Sequence, residues 1–234
     1  MSARALPLAT LLFGLATLAV FLAFGAMPEV RAVYAPAEVG LAVSEFQRAE
    51  SEVDLIRVFA TPADPTRLAA MDAINTLDLY AFVPAYALFL GFAALMLGGP
   101  RNRWTQAAIA FALIGALADA IETWKQLQIT NDIANAAAHL PLAPWHWLKY
   151  AALALNGVAI ASLCIAADRK RWVVAVLALA PFPLVAAAYM ELISPRLFSA
   201  AFALYWIALL GTGAAELLRK RAALVEDNVR LTAH

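Results

Sequence analysis

The chain has 234 residues, 64% hydrophobic and 15% charged, with a mean hydropathy of +0.74. A soluble domain carries about 45–50% apolar and about 25% charged residues, so a water-soluble globule is excluded. The formal net charge is zero, which leaves no basic footprint for nucleic acid, and the single cysteine, Cys164, has no partner within the chain for a disulfide.

A transmembrane helix needs about 20 predominantly apolar residues, because the hydrocarbon layer is about 30 Å thick. Six windows reach that length: roughly 6–25, 77–97, 104–124, 145–166, 172–190 and 197–218. In lipid the backbone must satisfy its own hydrogen bonds, and unbroken apolar runs do so as helices, not as the alternating strands of a barrel. The sequence predicts an all-α integral membrane bundle of six transmembrane helices. Its parts are a first helix in 1–26, an outward-facing amphipathic segment in 27–76, a five-helix bundle in 77–218 and a cytoplasmic tail in 219–234.

The first helix ends in Ala23-Phe24-Gly25, a small-x-small pattern like that of a cleaved leader. Its apolar run exceeds the 7–15 residues of a typical signal core, which favours a retained helix or signal anchor. In the segment that follows, Val39, Val43, Phe46, Val53 and Ile56 recur at intervals of three, four and seven. That spacing predicts one amphipathic helix of about five turns across 36–60, ended by Thr61-Pro62. A second helix is expected after Asp64, with Pro65 in its first turn. Fifty residues bury little core alone, so this helical hairpin should lie on the outer face of the bundle. It serves there as a packing element or as a docking surface for other membrane subunits through 36–60.

Charged residues then enter the spans. The second carries Asp78, with Pro84 as an expected kink and Tyr86 beyond it. On the third, Gly115, Asp119 and Glu122 share a face; on the fourth, His146, Lys149 and Asn156 do. A charge at the centre of a span costs about 2.5–3.5 kcal/mol, so Asp78, Asp119, Glu122 and Lys149 should meet one another inside the bundle. With Lys125 as the outer boundary, Asp119 lies roughly 9 Å deep.

Three carboxylates against one lysine leave an excess negative charge, which a proton or a bound cation would balance. The cluster has three readings: an ion-pair network that fixes helix register, a proton or cation site, or a catalytic acid/base or metal site. For a metal, Asp119, Glu122, His139 and His146 offer oxygen and nitrogen ligands. The histidines are the weaker members, being seven residues apart across two prolines without a helix-spaced His-x-x-x-His. Against transport, residues 107–114 of the third span carry no polar side chain. No nucleophile elbow, phosphate loop, haem attachment or nucleotide fingerprint occurs, and no cofactor is indicated.

The fifth span holds Pro181 and Pro183, which predict a kink. On the last, Tyr205, Thr212 and Glu216 align, with Glu216 expected to mark the helix end. Trp104, Trp124, Trp145, Trp147 and Trp172 fall at span ends, as interfacial anchors do. Arg4, Arg101, Arg103, Arg169, Lys170, Arg171, Arg219, Lys220, Arg221 and Arg230 all fall on one side of the predicted topology. Arg31, Arg48, Arg57, Arg67, Lys125 and Arg196 fall on the other. The positive-inside bias then puts both termini in the cytoplasm of a bacterial inner membrane.

Three stretches carry a resemblance: Asp78-Leu-Tyr-Ala-Phe-Val-Pro-Ala-Tyr86, Leu117-Ala-Asp119-Ala-Ile-Glu122-Thr123 and Leu148-Lys149-Tyr150. Over these roughly ninety residues the chain resembles an uncharacterised group of bacterial multi-pass membrane proteins. There, one helix opens with Asp and carries a later Tyr, the next carries Asp-x-x-Glu-Asn, and a third a lysine. Thr123 stands here in place of the Asn. The resemblance implies that the four charged residues belong together, and it carries no activity. The expected function is a non-catalytic accessory or assembly subunit of a membrane complex. The alternatives are an enzyme acting on a lipid or small amphiphile through Asp119 and Glu122, and a proton- or cation-coupled transporter.

Overall fold

The structure, a computed structural model, describes residues 4–35, 37–167 and 171–232, with side chains at 220 and 223–232 excepted. Pro36, Arg169, Lys170 and the side chains of Lys220 and Arg230 lie outside the described residues. Among the described residues there is no strand, and six helices are long and apolar enough to cross a membrane.

The first span is α1 (Ala5–Phe24), which packs on the second and last spans. There Phe13 stacks on Phe92, the ring centroids 5.5 Å apart. The chain then forms α2 (Pro28–Arg31), α3 (Val39–Gln47) and α4 (Glu52–Phe59). The second span is continuous from α5 (Pro65–Leu77) through a π-helical turn (Asp78–Phe82) into α6 (Val83–Gly98). Asp64 caps its start, accepting from the Thr66 amide at 2.8 Å, and Pro65 fills the first turn as its fixed φ allows. The kink expected at Pro84 takes the form of the π turn, in which the Val83 amide reaches the Asp78 carbonyl. The wider turn accommodates a proline that has no N–H to donate one turn back.

The third span, α7 (Arg103–Asn131), is longer than its apolar window and carries the helix past Lys125. A 3-10 segment (Ile133–His139) leads to α8 (Ala143–Ala166). The fifth span is broken at Ala180 into α9 (Trp172–Leu179) and α10 (Pro181–Tyr189), where the two prolines predict it. The sixth is α11 (Pro195–Thr232), which continues as helix beyond Glu216. Glu216 there pairs with Arg171 of the preceding loop at 2.6 Å and with Arg219. It ties two spans together instead of ending a helix.

At one end of the bundle α2 to α5 form a cap. Its core contains Val30, Phe46, Phe59 and Met71, closed below by Ile129 of α7 and Leu142 before α8. The single five-turn helix expected over 36–60 is two helices. Ser51 and Asp54 form a capping box: Asp54 Oδ2 accepts from the Ser51 and Glu50 amides at 3.0 and 3.1 Å, and the Asp54 amide donates back to Ser51 Oγ. That local signal starts a new helix with a new phase. Leu55, Val58 and Phe59 face inward, whereas Val53 and Ile56, expected in the core, are 58% and 50% exposed.

Small residues let the spans approach. Gly157 of α8 lies so close to α9 that a Cβ there would overlap the Ala178 carbonyl oxygen. Gly91 of α6 has open space around the same position. Gly157→Leu is expected to lower the melting temperature in detergent by several degrees, overpacking a helix contact costing about 1–3 kcal/mol. Gly91→Leu should leave it nearly unchanged.

The Asp54 carboxyl is held below the usual carboxylate range, first by the Ser51 hydroxyl, then by the Glu50 and Ser51 amides and Arg57. Because the folded value is the lower one, this support is present above the unfolded value near 3.8 and is lost as pH falls through the folded value. Hydrogen exchange of the α4 amides, corrected for intrinsic rate, should lose about fivefold in protection across that acid range, as expected of a cap near 1 kcal/mol. In Asp54→Asn the exchange should show no such acid step.

Candidate functional site

Side chains at matched register on three adjacent helices form the site. α7 lies against α6 on one side and α8 on the other. Because α7 and α8 run antiparallel, three residues forward on one meet three residues back on the other: Asp119 faces Lys149, and Glu122 faces His146. Lys149 Nζ lies 2.9 Å from Asp119 Oδ1 and 2.8 Å from Glu122 Oε2, so one ammonium bridges both carboxylates. The Tyr86 hydroxyl of α6 donates to Asp119 Oδ2 at 2.9 Å. Gln126 Nε2 donates to Glu122 Oε1 at 3.3 Å, and His146 Nδ1 stands 3.6 Å from the same oxygen.

Asp78 occupies the π turn, and the Thr123 hydroxyl donates to its Oδ2 at 2.8 Å. Thr123 thus links the second span to the third. All four charged residues expected to meet are buried: Asp78 is 9% exposed, Asp119 and Lys149 3%, and Glu122 0%. Aromatic rings close the site laterally. Trp206 of α11 stacks on Tyr86, and Tyr150 lies edge-on to His146, with ring centroids 4.8 Å apart, and beneath Lys149.

Of the two candidate histidines, His146 is in the cluster and His139 is not. His139 sits in the 3-10 segment with its ring edge-on to Trp124. Among the described residues no three His, Cys, Asp or Glu side chains converge as a metal-ligand set. Asn156, expected on the face of Lys149, lies deeper: it donates to the Ala108 carbonyl at 2.8 Å and accepts from the Tyr205 hydroxyl at 2.9 Å. The apolar stretch of α7 below Gly115 thus meets a polar pair from α8 and α11 at the level of Ala108.

Sequence reasoning did not find Asn75 and Gln126, buried at 3% and 0%, or Thr130, half-buried at the cap end. Counting in threes and fours past Lys125 was the available signal: Asp119, Glu122, Gln126 and Thr130 share one face of α7. In the same way Asp72, Asn75 and Asp78 repeat every three residues on the second span. No family model, no curated protein and no solved structure matches the chain.

Removing one partner of a buried ion pair leaves an uncompensated charge and costs about 3–5 kcal/mol, more than replacing the whole group. Lys149→Met is expected to abolish a cooperative thermal transition or lower it steeply. Lys149→Met combined with Asp119→Asn and Glu122→Gln should recover most of the loss. Equal melting temperatures for the single and triple variants would mean that Lys149 does not carry the charge balance.

Proposed function

We propose that this multi-pass membrane protein is non-catalytic and acts as an accessory or assembly subunit of a bacterial inner-membrane complex, docking through its cap. The distribution of Lys and Arg supports an orientation with both termini in the cytoplasm and the cap on the opposite side. The resemblance over the second to fourth spans supports the importance of the four charged residues and carries no activity.

The observation that carries the reading is the outward apolar face of α4. Val53 and Ile56 are more than half or half exposed, and Leu41 of α3 is 40% exposed. The capping box that starts α4 spends Leu55, Val58 and Phe59 on the cap's own core, and leaves a second apolar edge unpartnered. Beside it a cleft of about 290 Å³ exposes Glu38, Glu45, Arg57 and Arg67, a mixed-charge rim suited to a polypeptide partner. The buried cluster supports the non-catalytic half of the reading. Asp119 and Glu122 are both engaged by Lys149, and neither side chain is more than 4% exposed. The network works as a clamp on helix register.

The test is native mass spectrometry of the protein released gently from its own membrane. A mass that includes further polypeptides is expected, together with its loss in Val53→Asp/Ile56→Asp at an unchanged melting temperature. A chain that leaves its membrane alone, across the mildest detergents and nanodiscs, ends the reading.

A further inference from the structure

The charged cluster is the inner end of a longer polar column. Thr130 Oγ1 donates to Asp72 at 3.0 Å, and seven residues earlier on α7 Thr123 donates to Asp78. These two bonds fix the register of the second span against α7, and Asn75 and Gln126 lie between them at one level. From Thr130 to Asp119 the column covers eleven residues of α7, about 16 Å at the helical rise. It starts half-buried at the cap end and finishes at Tyr86, Asp119 and Lys149. Beyond that point come Phe89, Ala112, Ala116 and Leu153, all buried and apolar. The next polar pair, Asn156 with Tyr205, is seven residues further along α8, roughly 10 Å away.

Besides Glu122 Oε2, which has the Lys149 ammonium beside it, three side chains in the column hold polar atoms without a hydrogen-bond partner: the amide nitrogen of Asn75, the amide oxygen of Gln126 and both ring nitrogens of His146. They are 3%, 0% and 1% exposed. A buried polar atom without a partner is costly, and such atoms are rare in folded proteins. Here they are complementary. Asn75 offers a donor level with the acceptor of Gln126, and His146 offers a donor and an acceptor beside Glu122 at 3.6 Å, a gap suited to a water bridge.

The charges that face this region come from every element around it: Asp72 of α5, Asp78 of the π turn, Asp119 and Glu122 of α7, Lys149 of α8, and Arg48 of the cap, whose charge reaches His146. Tyr86 and Tyr150 add hydroxyl groups. With Asp72 at the outer end, four carboxylates against two cations leave an excess of negative charge.

We propose that the column is a hydrated half-path from the cap side that delivers a small positive charge to the Asp119–Glu122–Lys149 site. The carrier is a proton brought by water or a monovalent alkali cation. The apolar layer below makes the site a blind one, so it binds and releases on the cap side. This inference goes beyond the clamp reading and rests on the polar atoms of Asn75, Gln126 and His146 that the clamp leaves without a hydrogen bond.

X-ray radiolysis tests it on the unaltered chain in nanodiscs, because hydroxyl radicals form wherever water sits. Tyr205 is the internal control, as buried as Tyr86 but beyond the apolar layer. After normalisation for intrinsic reactivity, His146 and Tyr86 should be oxidised at least fivefold faster than Tyr205, and Gln126→Leu should reduce the His146 rate. Rates for His146 and Tyr86 equal to that of Tyr205 overturn the half-path. The carrier is read from melting temperature in sodium against choline at fixed ionic strength and pH. A rise in sodium assigns an alkali cation. No rise, with a pH dependence that Glu122→Gln removes, assigns a proton. If the melting temperature shows neither a rise in sodium nor a pH dependence that Glu122→Gln removes, no charge is bound and that half of the proposal fails.

Discussion

The ammonium of Lys149 is the group on which the bundle depends. A lysine in the hydrocarbon layer is costly alone, and so is each of the acids around it. With Nζ within 3 Å of both Asp119 and Glu122, the three are stable only together. Tyr86 adds α6 to the arrangement, and Thr123 adds the π turn through Asp78. A helix rotated by one residue or shifted by one turn would strand at least one of these charges in lipid. Register in the middle of the bundle is thus set by polar pairing. Dispersion and small-residue packing, which hold at many registers, complete it.

The same pairing explains where regular helix gives way. Asp78 must face Thr123 while Tyr86, eight residues on, must reach Asp119. Eight residues of regular helix, at about 100° each, end about 80° round from the starting face, and Pro84 within the stretch forbids an undisturbed hydrogen-bond ladder. The π turn meets both demands, widening the helix where a proline would otherwise break it. At the other proline pair no polar partner is required, and the fifth span simply divides at Ala180.

The architecture and the meeting of Lys149 with Asp119 and Glu122 were legible in the sequence because both follow from strong, one-dimensional penalties. Twenty apolar residues and a charge within them leave few alternatives. The cap was less legible. Val39, Val43, Phe46, Val53 and Ile56 form a convincing helical period, yet Ser51-x-x-Asp54 is also a helix start, and that local signal prevailed over the longer pattern. The polar column was missed for a related reason. Lys125 looks like a boundary in sequence, but it lies on the half-buried side of a helix that continues to Asn131, with its ammonium on the Pro141 carbonyl. Ending the span there hid Gln126 and Thr130. Asn156 and Tyr205 were legible singly, but their meeting 49 residues apart in sequence was not.

Cap and cluster are mechanically one object. The Leu142 amide donates to the Ala49 carbonyl at 2.9 Å, in the turn between α3 and α4, and Leu142 sits in the cap core immediately before α8 begins. His146 is one helical turn further, and Lys149 nearly two. Any displacement of the α3–α4 turn therefore acts on the first turn of α8, and through it on the spacing of His146 from Glu122. That spacing, at 3.6 Å, is the loosest in the cluster, whereas the Lys149 contacts are at ordinary ion-pair distance. A partner seated on α4 and a charge bound at Glu122 would therefore act on one element, the start of α8. Whichever arrives first alters the strain that the other meets, and linkage requires the effect to be mutual.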